Sequence, residues 1–259
     1  MRGADRTTLL EELTRIARLA GDAVMAVYGV GCAVEHKGDL SPVTEADLAA
    51  HCILVNRLEA LLPDCPVVSE EDAASQAHRR GSGRFWLIDP LDGTKEFIAC
   101  NGEFTVNIGL IEEGRSVLGM VYAPAIDALY RGGPGIGAWR SIGAQTSAIQ
   151  VGGADGACRV VASKSHLNAE TQAFIDRLGP VSLVQAGSSL KFCRVAEGRA
   201  DIYPRLAPTC EWDTAAAQAI LEGAGGVVLD LQGRPLRYGK PDVRNPSFIA
   251  TRDAALRLA

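Results

Sequence analysis

The chain lacks the cysteine and histidine patterns that mark a disulfide scaffold or a zinc site. Its seven cysteines are an odd number, and none of them forms a C-x-x-C pair. Scattered cysteines in a chain of 259 residues favour reduced, mostly buried thiols. The four histidines show no H-E-x-x-H or other zinc spacing. These patterns argue against a zinc enzyme.

An excess of positive charge and long apolar runs are also missing. The formal net charge is −5, which argues against a nucleic-acid polymer as partner because that needs a basic surface. A nucleotide-sized ligand is still compatible, since divalent cations offset its charge. No apolar run approaches the ~18 residues of a membrane span, the first residues lack the apolar region of a signal peptide, and no amphipathic or basic anchor is evident. We therefore expect a cytoplasmic protein.

Two helices are predicted at the start of the chain, which is 47% hydrophobic and can bury a substantial core. The first runs from about Thr8, in a capping box that ends at Glu11, to Tyr28. The second runs from Thr44 to Pro63, and its predicted buried face is listed last: Leu48, Cys52, Val55 and Leu62.

Strands are predicted next. Short apolar segments from Pro66 to Arg131, separated by turns, predict an antiparallel sheet. The glycine-rich segment 132–138 predicts a hairpin turn; it is not a dinucleotide fingerprint, because it does not join a strand to a helix. Residues 72–83 carry no motif and are predicted to form an exposed, mobile loop.

From about Arg159 the pattern alternates between strand and helix, which predicts an α/β arrangement. We therefore predict an α/β fold class with two units packed as one body: an α+β unit with an antiparallel sheet at 1–155, and an α/β unit at 156–259. No repeat or long linker separates them.

The segment Asp89–Phe97 is the most informative part of the chain. Asp89 and Asp92 follow the apolar run Phe85–Ile88, which predicts a buried strand. Carboxylates at a strand end suit a hard cation such as Mg²⁺. The backbone N–H groups of Gly93 and Thr94 are placed to face an anion beside it. Taken alone, such a segment is more often an ordinary acidic turn.

Three further acidic sites lie at the edges of apolar elements. Glu70 follows a short strand, and Asp213 and Asp47 open helices. Each has an ordinary explanation when taken singly, because a strand end is solvated and a helix dipole favours acids in the first turn. These three acidic residues indicate a metal site only if the fold brings them close to Asp89 and Asp92.

These motifs resemble the inositol monophosphatase superfamily of Mg²⁺-dependent, lithium-sensitive phosphatases. The resemblance covers nearly the whole chain and is carried, in family order, by segments 38–47, 69–71, 89–97 and 212–216. It implies the layered αβαβα sandwich of such phosphatases. Segments 187–198 and 203–213 resemble, more finely, the bacterial 3′(2′),5′-bisphosphate nucleotidases within that superfamily.

The resemblance implies a metal centre of two or three Mg²⁺ ions. Glu70, Asp89 and the Leu91 carbonyl would hold the first ion, and Asp89, Asp92 and Asp213 the second. The Thr94 hydroxyl, hydrogen-bonded to Asp47, would orient or deprotonate the attacking water, and Glu70 could assist through a second water. Most of these residues fall in the first unit, and Asp213 falls in the second.

The resemblance also implies the substrate contacts. The N–H groups of Gly93 and Thr94 would bind the reacting phosphate, and Ser188, Lys191 and Arg205 would hold the second phosphate. Further residues expected to bind the substrate are Leu91, Asp92, Gly187 and Asp213. Ser163 and His166 could line the nucleoside site, although an ordinary loop explains them equally well. Ser188 and Lys191 also fit the S-x-x-K of serine acyl-enzymes, but the companion S-D-N and K-T-G motifs are missing.

The leading hypothesis is hydrolysis of adenosine 3′,5′-bisphosphate (PAP) to AMP and phosphate in sulfate assimilation, with the sulfated nucleotide PAPS as an open second substrate. Relatives are sometimes assigned to the cytoplasmic face of the inner membrane. The alternative is a phosphatase for inositol monophosphate or a sugar phosphate, which would leave Lys191 and Arg205 without a second phosphate. A third hypothesis is a nucleotide-binding protein without turnover.

Overall fold

The computed structural model describes residues 3–29, 34–36, 42–80, 83–153, 156–162 and 168–258. Ser163 and His166, the two residues predicted at the nucleoside site, lie outside these ranges. Within the described ranges the α-helices are α1 (Gly3–Val27), α2 (Glu45–Leu61), α3 (Thr94–Ile98), α4 (Ala169–Arg177), α5 (Leu190–Ala196) and α6 (Trp212–Gly223). Short 3₁₀ helices span Ser75–Arg79, Pro124–Ile126 and Ala254–Leu258. None of the described helices combines the length and apolar character that crossing a bilayer requires.

The described strands form two large sheets and one small ribbon. The ribbon consists of β1 (Val34–His36) and β2 (Pro42–Thr44). The larger sheet contains, in spatial order, β3 (Val67–Ser69), β4 (Arg84–Asp92), β5 (Thr105–Glu112), β6 (Arg115–Ala123), β7 (Ala128–Gly133), β8 (Gly137–Ile142) and β9 (Gln145–Ile149). The smaller sheet is built from β10 (Cys158–Ala162), β11 (Val181–Gln185), β12 (Ile202–Arg205), β13 (Val227–Asp230) and β14 (Phe248–Thr251).

The sheets and helices stack in five layers. The helices α1 and α2 cover one face of the larger sheet, where their apolar stripes join the core. The helices α5 and α6 lie between the two sheets, with buried residues of both sheets around them. The helix α4 packs on the outer face of the smaller sheet. The predicted α/β class and αβαβα layering are confirmed.

The two sheets differ in strand direction, as predicted. In the larger sheet β3 and β4 are parallel, and every later neighbour pair is antiparallel. In the smaller sheet β10 runs parallel to β11 and β12, whereas β14 is antiparallel to β12 and β13. The larger sheet ends at Ile149 and the smaller begins at Cys158. We retain 1–155 and 156–259 as a proposed division into units.

Two predictions about the first helices are wrong. The helix α1 already begins at Gly3, so Thr8 lies inside it and does not cap it. The predicted buried face of α2 is wrong in part: Leu48 is 49% exposed and Cys52 is exposed, whereas Val55 and Leu62 are partly buried against the core. Its buried face is formed instead by Ala46, Asp47, Ala50, Leu54 and Leu58. This face turns Asp47 inward, toward the sheet.

The exposed loop predicted at 72–83 is correct only in part over residues 72–80, the portion that the structure describes, because most of its side chains are exposed or half-buried but the segment is not irregular. It contains the 3₁₀ helix Ser75–Arg79, in which the first and last residues are buried. Arg79 is buried because it pairs with Glu211, a residue that is distant in sequence. The hairpin predicted at 132–138 is confirmed, since Gly133 pairs with Gly137 across the turn between β7 and β8. The strands β8 and β9 were not predicted; β9 is mostly exposed at the sheet edge and so lacks an apolar pattern.

The close contact between α6 and the larger sheet depends on glycines in the sheet. A Cβ atom at Gly119 of β6 would overlap the carbonyl oxygen of Ala216 in α6. Beside this contact, the hydroxyl of Ser116 in β6 donates to the carbonyl of Ala215 in α6 at 2.6 Å. This contact fixes the height of α6 above the sheet, and therefore the position of Asp213 in its first turn.

We expect Gly119→Ala to destabilise the protein by about 1–3 kcal/mol, because the added methyl group meets helix backbone that cannot rotate away. Urea unfolding measures the change. Gly152→Ala is the matched control, since a Cβ there meets its nearest atom, the Gly198 Cα, at an ordinary 3.6 Å. Equal stabilities of the two variants would contradict this account of the contact.

Candidate active site

The predicted acidic residues converge at one edge of the larger sheet. Because β3 and β4 are parallel and Ser69 pairs with Ile88, Glu70 leaves its strand beside Asp89. The Glu70 N–H donates to the Ile88 carbonyl at 3.2 Å, which fixes this arrangement. Carboxylate oxygens of Glu70, Asp89 and Asp213 lie within 4.8 Å of one another. The fold thus joins two strand ends to the first turn of α6.

An irregularity in β4 brings Asp92 to the same place. Residues three apart on a regular strand point to opposite faces. Here the register shifts, because Asp89 pairs with Asn107 whereas Asp92 pairs with Thr105. Such a bulge re-aims a side chain. The Leu91 N–H donates to Asp89 Oδ1 at 3.1 Å and stabilises the bulge.

The clustered carboxylates repel one another. Burial raises the pKa of Asp89 well above its ordinary value, and the charges of Glu70, Asp92 and Asp213 raise it further. Burial, followed by the charges of Asp92 and Glu70, raises the pKa of Asp213 to about 8. Asp89, Asp92 and Asp213 form no salt bridge within the described part of the chain. Such a set of oxygen ligands could hold a metal ion, which would offset their charge.

Three polar side chains hold one oxygen of Asp92. Its Oδ2 atom accepts hydrogen bonds from Thr105 Oγ1 at 3.4 Å, Asn107 Nδ2 at 3.3 Å and Ser189 Oγ at 3.0 Å. Among the described residues, these three bonds all reach Oδ2, and none is found to Oδ1. These three residues were missed in the sequence. A signal was present for two of them, since Thr105 and Asn107 alternate with apolar residues and share one face of β5.

Thr94 and Asp47 lie together, beside the bulge. Gly93 has φ +93°, a left-handed conformation that favours glycine, and the helix α3 begins directly after it. The Thr94 hydroxyl lies 3.4 Å from Asp47 Oδ1 and 3.3 Å from the Leu91 carbonyl. The other oxygen of Asp47 accepts from the Thr44 N–H and hydroxyl. Asp47 therefore presents Oδ1 toward Thr94.

A cavity of about 220 Å³ extends from the acidic cluster to a basic end in the second unit. The residues predicted at the site that line it are Glu70, Asp92, Gly93, Thr94, Ser188, Lys191, Arg205 and Asp213. Tyr203 and Phe248 add aromatic surface at the basic end. One cavity therefore has an acidic and a basic end.

Other predicted site residues lie behind this surface. Asp47, Asp89, Leu91 and Gly187 are not among the lining residues. A Cβ at Gly187 would lie 2.6 Å from the Glu103 carbonyl oxygen, so this glycine permits a close packing contact. The Ser188 hydroxyl lies 2.8 Å from the Asp92 carbonyl and 2.7 Å from the Glu103 carbonyl. The hydroxyl proton of Ser188 is therefore donated to a backbone carbonyl of the protein.

Lys191 supplies a buried positive charge. It is 7% exposed, and its Nζ lies 5.7 Å from the centre of the Tyr203 ring. Burial lowers the pKa of Lys191 to about 8; the negative charge of Asp92 opposes this shift, and the positive charge of Arg205 adds to it. Lys191 forms no salt bridge with any described residue. An anion in the cavity is its natural partner.

A second buried network ties the segment after Glu70 to α6. Glu211 is fully buried and accepts from Arg79 at 3.2 Å and from the Lys240 ammonium at 2.6 Å. The N–H groups of Gly239 and Lys240 also donate to it, each at 3.0 Å. Because Glu211 stands two residues before Asp213, this network fixes the start of α6.

Comparison with known proteins agrees with this geometry. The model of the inositol monophosphatase family matches residues 5–258. The chain belongs to the inositol monophosphatase family.

Within the family, the chain is similar to the 3′(2′),5′-bisphosphate nucleotidase CysQ of Salmonella typhimurium, with 48% identity over 246 residues, 94% of this chain and 99% of that protein. Among solved structures it is similar to CysQ from Bacteroides thetaiotaomicron, with 39% identity, a TM-score of 0.85 and coverage of 95% and 98%. An IMPase from Thermotoga maritima shares 25% identity, with a TM-score of 0.80 and 97% coverage of both chains. Identity is higher with the CysQ proteins.

We expect Mg²⁺ to stabilise the protein more at pH 8 than at pH 5.5. The folded-state pKa values of Asp89 and Asp213 are raised, so the metal-free fold loses stability as pH rises from the unfolded value toward about 8. A cation replaces those protons. At a Mg²⁺ concentration 100-fold above Kd, we expect a rise in Tm of about 5–10 °C at pH 8.

Thermal unfolding with and without Mg²⁺ measures this difference. Asp213→Asn is the control, because it removes one of the repelling charges and one ligand. In this variant we expect a flatter pH dependence without metal and a smaller Mg²⁺ effect. A Mg²⁺ effect that is equal at both pH values would count against the charge-repulsion account.

Proposed function

We propose that this protein is a Mg²⁺-dependent 3′(2′),5′-bisphosphate nucleotidase that hydrolyses PAP to AMP and phosphate. The observation that carries the proposal is a single cavity with metal-binding carboxylates at one end and buried Lys191 with Arg205 at the other. A substrate with two phosphates matches both ends. The relatives named CysQ support the same substrate class.

The acidic end fits Mg²⁺ because all of its side-chain donors are carboxylate oxygens. Glu70, Asp89, Asp92 and Asp213, with the Leu91 carbonyl, would hold two or three ions. When bound, Mg²⁺ supplies an activated water and charge stabilisation at the reacting phosphate. The N–H groups of Gly93 and Thr94 would bind oxygens of that phosphate.

Thr94 and Asp47 would orient the attacking water. Because Asp47 Oδ1 is the acceptor for the Thr94 hydroxyl, the Thr94 oxygen keeps a lone pair for a water proton. Transfer of that proton to Thr94, with its own proton passing to Asp47, makes the pair a general base. Glu70, which also lines the cavity, would assist through a second water.

The basic end would bind the phosphate that does not react. Lys191 and Arg205 are both cations, and an Arg205 Nη2 donates to the Pro208 carbonyl at 3.2 Å, which holds the guanidinium in the cavity wall. A monophosphate would leave the buried Lys191 charge without a partner, at a cost in affinity. We keep Ser163 and His166 as proposed nucleoside contacts, PAPS as a second substrate, and a cytoplasmic role in sulfate assimilation.

We expect Mg²⁺-dependent phosphate release from PAP with kcat/KM about 10- to 150-fold higher than from inositol 1-phosphate, since the latter forgoes a charged, buried contact worth about 1.5–3 kcal/mol. Phosphate release is measured for both, and for fructose 1,6-bisphosphate, with and without Mg²⁺. Comparable turnover of inositol 1-phosphate would favour the sugar-phosphate alternative. Tight PAP binding without release would favour a binding protein.

We expect kcat/KM for PAP to fall above about pH 8, because Lys191 then loses the charge that attracts the second phosphate. Bound Mg²⁺ cancels the charge of Asp92 that raises the pKa of Lys191, so the decline begins at pH 8 or slightly below. Lys191→Arg should remove this decline, since the pKa of arginine exceeds ~12. Adenosine 3′-monophosphate is the control substrate, and an identical decline for both substrates would contradict the role of Lys191.

A further inference from the structure

The segment that begins α5 connects the two ends of the cavity. Ser188 and Ser189 precede the helix, and Lys191 lies in its first turn. Ser189 contacts the acidic end, whereas Lys191 faces the basic end. Less than one helical turn of backbone therefore separates the metal-binding carboxylates from the second anion subsite.

Ser189 is the centre of a buried hydrogen-bond network. Its Oγ atom lies 3.0 Å from Asp92 Oδ2 and 3.1 Å from the Asp213 carbonyl, and it accepts from Asn107 Nδ2 at 2.9 Å. Ser189 is 2% exposed and Asn107 is 1% exposed. The Ser189 hydroxyl thus contacts both Asp92 and Asp213, whose carboxylates belong to the second proposed set of metal ligands. Asp92 lies in the first proposed unit and Asp213 in the second.

The same segment is held at an energetic cost. Ser188 has φ +46°, a left-handed conformation that is unfavourable for a residue with a Cβ atom. Three residues later, Lys191 is buried without an ion pair among the described residues. Burial of an unpaired charge is unfavourable. An anion bound at Lys191 would offset that cost and favour the conformation in which Ser189 contacts Asp92.

We propose that Ser189 is a positioning residue that links the Lys191 subsite to Asp92 and Asp213, so that an anion at Lys191 raises turnover as well as affinity. This rests on the proposed function, since the anion is the second phosphate of the nucleotide. Ser189 does not touch the substrate. It acts by holding Asp92 Oδ2, which leaves Oδ1 directed at the metal.

The physical basis is the use of binding energy away from the reacting group. Contacts that bind substrate and transition state equally lower KM and leave kcat unchanged. If the second phosphate only filled its subsite, it would have this effect alone. Through Ser189, part of its binding energy instead orders the carboxylates that act in the transition state, and kcat rises.

The first experiment uses the unaltered protein with saturating Mg²⁺. We compare kcat for PAP and for adenosine 3′-monophosphate, which lacks the second phosphate, and then add phosphite dianion to the latter. We expect kcat to be about tenfold higher for PAP, within the range for coupled neighbouring groups. We expect phosphite to raise the turnover of the monophosphate. Lys191→Ala is the control, in which phosphite can only inhibit by competing at the metal end.

The second experiment assigns the link to Ser189. In Ser189→Ala, we expect the PAP-to-monophosphate ratio of kcat to fall to about 1–2 while KM for PAP changes little. Ser189→Thr keeps the hydroxyl and should retain the ratio. Lys191→Ala should lose both affinity and the kcat advantage, and the double variant should show no further loss in the ratio. Ser182→Ala, at an exposed position of β11, is the matched control.

Three results separate the possibilities. Equal kcat for the two nucleotides in the unaltered protein, with no effect of phosphite, would overturn the inference and leave the proposed function intact. An unchanged kcat ratio in a folded Ser189→Ala variant would overturn the role of Ser189. No Mg²⁺-dependent release from either nucleotide would instead contradict the proposed function.

Discussion

Mutual repulsion among the clustered carboxylates is the constraint on which the rest of the site depends. Asp89 and Asp213 are held close to Glu70 and Asp92 although no described basic side chain neutralises them. This arrangement persists because it is fixed by backbone: a strand bulge, a parallel strand pair and the start of a helix. A metal ion removes the repulsion, so the binding site is built at the expense of metal-free stability.

The surrounding polar contacts fit this constraint. Asp92 is anchored through one oxygen by three donors from β5 and the start of α5, and Glu211 fixes the start of α6 through Arg79 and Lys240. Both devices join residues of the first half of the chain to the segments that begin α5 and α6. The second half therefore contributes geometry to the acidic end as well as charge to the basic end.

The family, the layering and the acidic residues of the site were predicted from the sequence through the resemblance of four motifs to a known family; taken singly, each acid has an ordinary explanation. The two buried side chains in the described segment 72–80, Ser75 and Arg79, were not predicted, and the partner of Arg79 is 132 residues away. The buried face of α2 was only partly predicted, because Leu48 and Cys52 were placed on it although both are exposed. Ser189 was missed because a single serine carries no pattern.

The sequence by itself determined which groups are available: carboxylates at strand and helix ends, a threonine after a glycine turn, and two cations in the second half. Only the tertiary structure decided which oxygen of Asp92 is occupied, that the Ser188 hydroxyl is turned toward backbone carbonyls, and that Lys191 is buried without an ion pair among the described residues. The physical reason is that hydrogen bonds and burial depend on contacts between distant segments, whereas residue type and spacing record only local preference.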